Sequence, residues 1–319
     1  LVAAKPAADS DEARIAGAYA AFINVYAINA KGLAPLQPHF AKIKAATTPM
    51  QLISLFAQPG FASPVTVMVY PDLKQSGINA LYIGQGGMGL PDRDYYLKQD
   101  QRSQDLTFLF GKLGHADAAG TAKAVLALET RMAQEHWDRV ARRNTDLTYN
   151  KLTIQEVEQL GRPGEIKALL DALGVTPSYV IAEEIQPTEE ELKKAGIDAA
   201  KAKELFGGGL AATMRLLHEV PVATWQAWLQ ARFVTSYAGV LPSEIDNANF
   251  DFYGKVLSGQ LEQRPRWKRG IATVEGQVGE LLGKIYAAKY YPPEQKAEME
   301  KLIANLRTAM AANLHDLAW

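Results

Sequence analysis

The sequence contains no cysteine among its 319 residues. This absence excludes disulfide bonds, thiolate nucleophiles, and every zinc or iron–sulfur site that depends on cysteine ligands. It does not assign a cellular compartment, because exported bacterial proteins can also lack cysteine.

An excess of charge of one sign is also missing, since 34 lysines and arginines face 35 aspartates and glutamates. A dedicated nucleic-acid surface needs clustered positive charge, so we predict no nucleic-acid partner. No segment approaches the roughly 18 uninterrupted apolar residues of a transmembrane helix, so we predict no membrane span. The first residues, LVAAKP, lack the basic and apolar regions of a signal peptide and are typical of an internal or processed start.

The motifs of common active sites are absent or incomplete. The zinc motif His-Glu-x-x-His places two ligands on one face of a helix, but no histidine here is followed by another four residues later, and His218-Glu219 only begins such a motif. Residues 84–89 satisfy the dinucleotide pattern Gly-x-Gly-x-x-Gly, yet Leu90-Pro91 follows where a helix should start. We therefore predict no catalytic residue and no metal ligand within this chain.

What the chain does contain is helical periodicity, together with a 48% hydrophobic content that can supply a core. Only residues 65–84 are typical of a β-hairpin, because two short β-branched runs flank turn residues. We predict a mainly α fold, with one large multi-helix domain over residues 1–319 and this one short hairpin. The predicted helices cover residues 11–30, 35–45, 49–57, 101–114, 117–143, 153–159, 164–173, 210–218, 221–240, 246–258, 264–290 and 293–317.

Apolar stripes predict which helix faces are buried, and charged stretches predict which segments are exposed to solvent. The last two helices carry the clearest stripes, which we place in the core: Trp267, Ile271, Val274, Val278, Leu281 and Ile285, then Leu302, Ile303, Leu306, Met310, Leu314 and Leu317. Residues 188–206 predict a solvated helical excursion, and residues 207–209 a flexible joint. Adjacent acids such as Glu183-Glu184 are expected at the surface, and the core is expected to take Trp137, Trp225 and Trp228.

Residues 86–97, GGMGLPDRDYYL, resemble a signature of the neprilysin and endothelin-converting-enzyme family, whose form is close to G-L-G-L-P-x-R-D-Y-Y. Residues 149–153 (YNKLT), 265–269 (PRWKR) and 314–319 (LHDLAW) resemble later elements of that family, in the same order. The resemblance covers the chain from about residue 12 to its end. The cysteines typical of animal members are absent, which fits a bacterial relative.

The resemblance implies a parent zinc-dependent endopeptidase that hydrolyses small peptides. In the family, the zinc-binding half follows the element that resembles residues 314–319. This chain would then be the helical, non-catalytic cap that encloses the substrate chamber, inactive alone, with zinc bound outside it. Its partners would be the C-terminal catalytic domain of the same protein and small peptides, in a periplasmic or extracellular location. A stand-alone helical binding module is the alternative, and a nicked enzyme with associated halves is a third possibility.

Seven residues of these segments are candidates for lining the chamber or joining the two lobes: Arg93, Asp94, Tyr96, Tyr149, Asn150, Arg266 and Arg269. Structural roles are open for the same residues. Asp92 and Asp94 can cap backbone amides while Arg93 pairs with one of them. Tyr149 and Asn150 can anchor a turn by hydrogen bonding. The two C-terminal arginines can form interlobe salt bridges or remain solvated.

Overall fold

The computed structural model describes residues 5–98 and 102–317. The chain divides into two compact units, a smaller one of residues 1–30 with 260–319 and a larger one of residues 31–259. The prediction of a mainly α fold is confirmed. The described helices are α1 (Asp11–Ile23), α2 (Val25–Lys31), α3 (Gln37–Ala45), α4 (Pro49–Phe56), α5 (Asp94–Lys98), α6 (Arg102–Lys112), α7 (Ala118–Glu135), α8 (Thr145–Thr148), α9 (Ile154–Glu158), α10 (Glu165–Leu173), α11 (Glu189–Lys194), α12 (Ala199–Phe206), α13 (Gly209–Glu219), α14 (Val222–Tyr237), α15 (Ser243–Asn249), a π-helix (Phe250–Leu257), α16 (Arg266–Tyr290) and α17 (Pro293–His315).

A four-stranded sheet lies within the larger unit, with strands β1 (Val65–Asp72), β2 (Gln75–Gln85), β3 (Asn150–Thr153) and β4 (Tyr179–Ala182) in the order β1-β2-β4-β3. The predicted hairpin is confirmed, because β1 and β2 pair antiparallel with Val65 opposite Gln85. The sequence did not predict β3 and β4, which add an antiparallel pair; β4 runs parallel to β2. Each of these strands has only four residues, too few to show a clear alternation.

Aromatic side chains form the centre of the larger unit. Trp225 and Trp228 of α14 are fully buried, and their ring centroids lie 5.5 Å apart. Phe56 of α4 packs against both, at 5.9 and 6.2 Å. Trp137 packs against Phe206 at 4.6 Å in a separate cluster. The predicted core positions of all three tryptophans are confirmed, and truncating one to alanine would cost about 3–5 kcal/mol.

Three helices of the larger unit begin at capping boxes that the sequence encodes locally. In each, a threonine hydroxyl accepts the amide three residues later, and the side chain at that later position accepts the amide of the threonine. The pairs are Thr48 with Gln51 at α4, Thr153 with Glu156 at α9, and Thr188 with Glu191 at α11.

Several predicted segments differ from the structure. The helix predicted over 11–30 is divided into α1 and α2, because Asn24 adopts non-helical backbone angles (φ −76°, ψ 71°). The helix predicted over 117–143 ends at Glu135, because His136 adopts extended backbone angles (φ −75°, ψ 143°). The helix predicted over 246–258 is α15 followed by the π-helix. The predicted joint is a close contact instead, since a Cβ on Gly207 would lie 2.5 Å from the carbonyl oxygen of Gln134.

The smaller unit packs α1 against α16. Ile15 and Phe22 of α1 are buried there with Val274 of α16, and a Cβ on Gly270 would lie 3.0 Å from the Tyr19 ring. None of the described residues of α17 is buried. The core prediction for the C-terminal stripes is therefore wrong for most of their members, which include these exposed side chains: Trp267, Ile271, Leu302, Ile303, Leu306, Met310, Leu314 and Leu317. None of the described helices is both long enough and apolar enough to span a membrane.

Candidate functional site

The segment that carries the family signature forms a tight loop between β2 and α5. Gly87 has a φ of +89°, and a Cβ there would lie 2.8 Å from the Cα of Pro64. Only glycine combines this backbone conformation with so close an approach. The amide of the preceding Gly86 donates to the Pro64 carbonyl oxygen at 2.9 Å, which fixes the start of the loop.

Tyr96 holds the middle of the loop from inside. Its side chain is buried, and its hydroxyl accepts the amides of Gly89 at 2.6 Å and Leu90 at 2.8 Å. The same hydroxyl lies 3.0 Å from Oε2 of Glu129, to which it donates, and Glu129 is itself fully buried in α7. The Tyr253 hydroxyl donates to the Gly89 carbonyl oxygen at 3.2 Å. Tyr96 thus connects the loop to α7 and does not project from the surface.

Arg93 fastens the end of the loop to two helix ends. Its Nη1 donates to the His136 carbonyl oxygen and its Nη2 to the Glu204 carbonyl oxygen, both at 2.8 Å. Nη2 also lies 3.6 Å from Oδ2 of Asp138, and Nε lies 4.0 Å from Oδ1 of Asp94. The guanidinium therefore satisfies carbonyl groups that the ends of α7 and α12 leave free.

The acids beside Arg93 differ in exposure. Asp92 Oδ1 accepts the amide of Asp94 at 3.0 Å, which confirms the predicted capping by Asp92. The Asp94 side chain is 51% exposed, whereas the Arg93 side chain is 11% exposed. Of the three signature candidates, Asp94 is accordingly the one that solvent or a partner can reach.

Glu184 is a buried member of this region that the sequence placed at the surface. Its Oε2 accepts the amide of Gln85 at 2.7 Å and its Oε1 accepts Nε of Arg142 at 2.7 Å. The residue is 2% exposed, so the surface prediction is wrong for it. Burial, and then the charge of Glu184, raise the pKa of the adjacent Glu183 carboxyl. The short strand β4 directly precedes these acids and leads Glu184 into the interior, so its burial could have been predicted only by recognising that strand.

The Gln85 side chain joins the end of β2 to two helices. Its Nε2 donates to the Glu135 carbonyl oxygen at 2.8 Å and to the Thr213 hydroxyl at 2.9 Å. Its Oε1 accepts the amide of Trp137 at 3.1 Å. All three polar functions of this buried amide are used, which costs little free energy because each has a partner.

His136 lies at the end of α7, behind the loop. Its Nε2 is 3.1 Å from the Gly86 carbonyl oxygen, an acceptor, so Nε2 carries the proton. Its Nδ1 is buried without a hydrogen-bond partner. Burial, then the positive charge of Arg142 and further that of Arg93, outweigh the carbonyl contact and lower the pKa of His136 to about 4. The imidazole is therefore neutral near pH 7 and acts as a structural donor.

The candidates Tyr149 and Asn150 lie at the start of β3, which is an edge strand of the sheet. The Tyr149 hydroxyl donates to Oδ1 of Asp72 at 2.8 Å, and the Tyr179 hydroxyl donates to Oδ2 at 3.0 Å. Burial raises the pKa of Asp72, but these bonds and two backbone amides outweigh it, and the pKa is lowered overall. Asn150 Nδ2 donates to the carbonyl oxygens of Leu147 at 2.9 Å and Ala182 at 3.0 Å. The predicted anchoring of a turn by hydrogen bonds is confirmed.

The last two candidates belong to the smaller unit. Arg266 donates from Nε at 2.9 Å and from Nη2 at 2.6 Å to the Phe22 carbonyl oxygen, and its guanidinium lies 4.3 Å from the centroid of the Phe22 ring. Arg269 Nε donates to the Arg264 carbonyl oxygen at 3.2 Å. Arg266 thus ties the first turn of α16 to the end of α1, by a carbonyl and by a cation–π contact.

The structure therefore gathers Arg93, Asp94 and Tyr96 at the end of this loop and in the adjoining helix α5, and it places the other candidates elsewhere. Among the described residues, no group of three or more His, Asp or Glu side chains is placed to hold a metal ion. The hydrogen bonds of the loop position backbone and connect helices.

Comparison with known proteins gives a family match over the full length. The family model for peptidase family M13 matches residues 1–319. Endothelin-converting enzyme 1 of Rattus norvegicus is 23% identical over 264 residues, which cover 80% of this chain and 32% of that protein. Membrane metallo-endopeptidase-like 1 of Mus musculus is 24% identical over 271 residues, covering 80% and 34%. The chain thus spans about a third of the length of these curated relatives.

Solved structures match across nearly the whole chain. Zinc metalloprotease 1 of Mycobacterium tuberculosis, in complex with an inhibitor, superposes with a TM-score of 0.80 at 28% identity, covering 100% of this chain and 47% of that one. PepO of Lactobacillus rhamnosis gives a TM-score of 0.74 at 18% identity, covering 99% and 49%, and supports the fold alone. The chain corresponds to about half of each of these proteins.

Proposed function

Because this chain belongs to peptidase family M13, we propose that it is the helical, non-catalytic N-terminal part of a zinc-dependent endopeptidase that hydrolyses small peptides. The observation that carries the proposal is the extent of the structural match, which is 100% of this chain but 47% of the mycobacterial zinc metalloprotease. The sequence also lacks His-Glu-x-x-His. In this proposal the catalytic machinery lies outside residues 1–319.

The zinc ion of the parent enzyme would be bound outside this chain. The described residues offer no three-ligand group, and the buried His136 uses Nε2 for a carbonyl oxygen. When bound, zinc activates a water molecule for attack on a peptide carbonyl. No step of that reaction is assigned to a residue of this chain.

The role proposed for this chain is to enclose the substrate chamber and limit the size of the peptides that enter it. Arg93 and Tyr96 would act as positioning residues, because their hydrogen bonds hold the signature loop. Asp94, with a 51% exposed side chain, is the member of that loop placed to contact a peptide or the other lobe. A periplasmic or extracellular location is proposed from the family, and fractionation of the source cells tests it.

The C-terminal catalytic domain of the same protein is the partner we propose for the smaller unit. Helix α17 exposes an apolar stripe on which Leu302 is 49%, Leu306 60% and Met310 58% exposed. Monomeric proteins rarely expose large contiguous apolar patches, because burying them is favourable by roughly 25 cal/mol per Å². The chain corresponds to about half of its structural relatives, so a further domain of the same protein is the occupant that fits.

Peptide hydrolysis and association test the two parts of this proposal. Residues 1–319 alone are expected to give no chelator-sensitive cleavage of a quenched fluorogenic peptide, whereas co-expression with the domain encoded after them should give cleavage. Leu306→Glu with Met310→Glu should weaken co-purification of the two parts, while Asn305→Glu on the polar side of α17 should not. Chelator-sensitive cleavage by the pure chain, or equal co-purification by all variants, would refute the assignment. A stop codon directly after this segment would favour the stand-alone module.

A further inference from the structure

A cleft of about 380 Å³ lies in the larger unit, between α13 and the segment that connects α9 to α10. It is separate from the signature loop. Its lining is rich in side chains that donate hydrogen bonds, among them Gln159, Arg162, Arg215 and His218. The volume falls in the range of small-molecule sites, which is about 300–1,000 Å³.

The lining of the cleft includes a buried carboxylate whose two oxygens both accept hydrogen bonds. Glu165 is 3% exposed. Its Oε1 lies 2.5 Å from Nε2 of His218, and its Oε2 accepts the amide of Arg162 at 2.8 Å. Because a carboxylate only accepts, Nε2 of His218 carries the proton. Glu165 therefore orients His218 and the turn at Arg162, and each of its oxygens has a hydrogen-bond donor.

Two guanidinium groups on the lining have no such partner. The side chains of Arg162 and Arg215 form no hydrogen bond or ion pair with any residue that the structure describes. Both residues are exposed. The remaining acid, Glu219, is occupied by an ion pair with Arg131. The two free arginines therefore outnumber Glu165, the one lining acid that no lysine or arginine pairs, and the lining has an excess of positive charge.

We propose that this cleft binds a small oxyanion of the phosphate or carboxylate type. Arginine presents a planar fork of donors that matches the paired oxygens of either group. The guanidinium groups of Arg162 and Arg215 would supply the charge, and the amide of Gln159 a further donor. The hydrogen bond between the buried Glu165 and the half-buried His218 keeps this wall in place. The proposal does not rest on the peptidase assignment, and the two can fail separately.

Isothermal titration of the full chain tests the site, in chloride buffer at constant ionic strength. The probes are inorganic phosphate, N-acetyl-alanyl-alanine as a peptide carboxylate, and its C-terminal amide as the uncharged control. Saturable binding of either anion, without binding of the amide, is expected. Binding of phosphate alone, of the peptide carboxylate alone, or of both identifies the source of the oxyanion and supports the site.

Variants locate the binding. Arg162→Gln and Arg215→Gln should each weaken the apparent Kd by about tenfold, the effect of losing one charge-assisted hydrogen bond. Arg143→Gln removes the same charge from an exposed position outside the lining and should leave the Kd unchanged. If circular dichroism shows that a glutamine variant is unfolded, Arg215→Lys retains the charge without the fork and should still weaken binding. The proposal would be overturned if neither anion binds saturably. It would also be overturned if Arg143→Gln weakens the apparent Kd as much as the two cleft variants do.

Discussion

Acidification from pH 7 to pH 5 is expected to destabilise the larger unit through His136. Burial, the charge of Arg142 and then that of Arg93 lower the pKa of this imidazole from 6.5 to about 4. The unfolded chain therefore binds more protons than the folded one between these values. The contribution of His136 to stability is complete above the unfolded pKa and is lost as the pH falls from about 6.5 toward 4.

The size of the effect follows from this difference in pKa. A shift of one unit corresponds to about 1.36 kcal/mol, so a folded pKa of about 4 costs roughly 3 kcal/mol once protonation is complete. Between pH 7 and pH 5 the loss is roughly 2 kcal/mol, because the unfolded imidazole becomes mostly protonated while the folded one stays neutral. The raised pKa of Glu183 has the opposite effect on stability, since the folded chain then binds more protons at this carboxyl than the unfolded chain does. The contribution of His136 must therefore be isolated by comparing the wild type with a variant.

Urea denaturation at pH 7 and pH 5 measures this loss in the wild type and in His136→Gln. Glutamine can keep the donor to the Gly86 carbonyl oxygen but does not titrate. The loss of unfolding free energy between the two pH values should be smaller in this variant by about 2 kcal/mol. His315→Gln, at a 90% exposed position, is the matched control and should leave the loss unchanged. An unaltered loss in His136→Gln, or an NMR titration of His136 with a pKa near 6.5, would refute the reasoning.

Three further substitutions probe the scaffold by denaturant unfolding. Tyr96→Phe should cost about 2–3 kcal/mol, because a buried carboxylate and two amides lose a partner, whereas Tyr95→Phe at a 42% exposed position should be nearly neutral. Gly87→Ala should cost more than about 2 kcal/mol through its positive φ and backbone clash, while Gly111→Ala, with open space around the added Cβ, should be neutral or stabilising. Tyr149→Phe should destabilise less than Tyr96→Phe and should make unfolding begin at a higher pH on acidification, since it withdraws a hydrogen bond that lowers the pKa of a buried aspartate. Equal losses in a substitution and its control, or no change in acid unfolding for Tyr149→Phe, would contradict these assignments.

The helical content of the fold could be predicted because its signals are local. Apolar spacing, the turn chemistry between β1 and β2, and the threonine caps each act within a few residues. The short strands β3 and β4 could not be predicted, since they exist only through pairing with distant residues. Glu184 follows β4 and is buried for that reason. Because the strand was not predicted, the acid was wrongly predicted to lie at the surface.

For the candidate residues too, local sequence signals could be recognised but contacts with distant residues could not. The resemblance selected Arg93 and Tyr96, but their partners at His136 and Glu129 lie 43 and 33 residues away along the chain, and no local pattern announces them. The apolar stripe of α17 was wrongly predicted to lie in the core, for another reason. Helical spacing of apolar residues indicates a face to be covered, without saying whether the cover lies within the same 319 residues.

The intact mass of the protein purified from its source cells, with a zinc determination on the same sample, tests the central claim most directly. A chain roughly twice as long as these 319 residues, as the 47% coverage of the mycobacterial enzyme suggests, should be found with about one zinc per molecule. A mass that corresponds to 319 residues, with no zinc and no associated second chain, would contradict the assignment to a two-part endopeptidase.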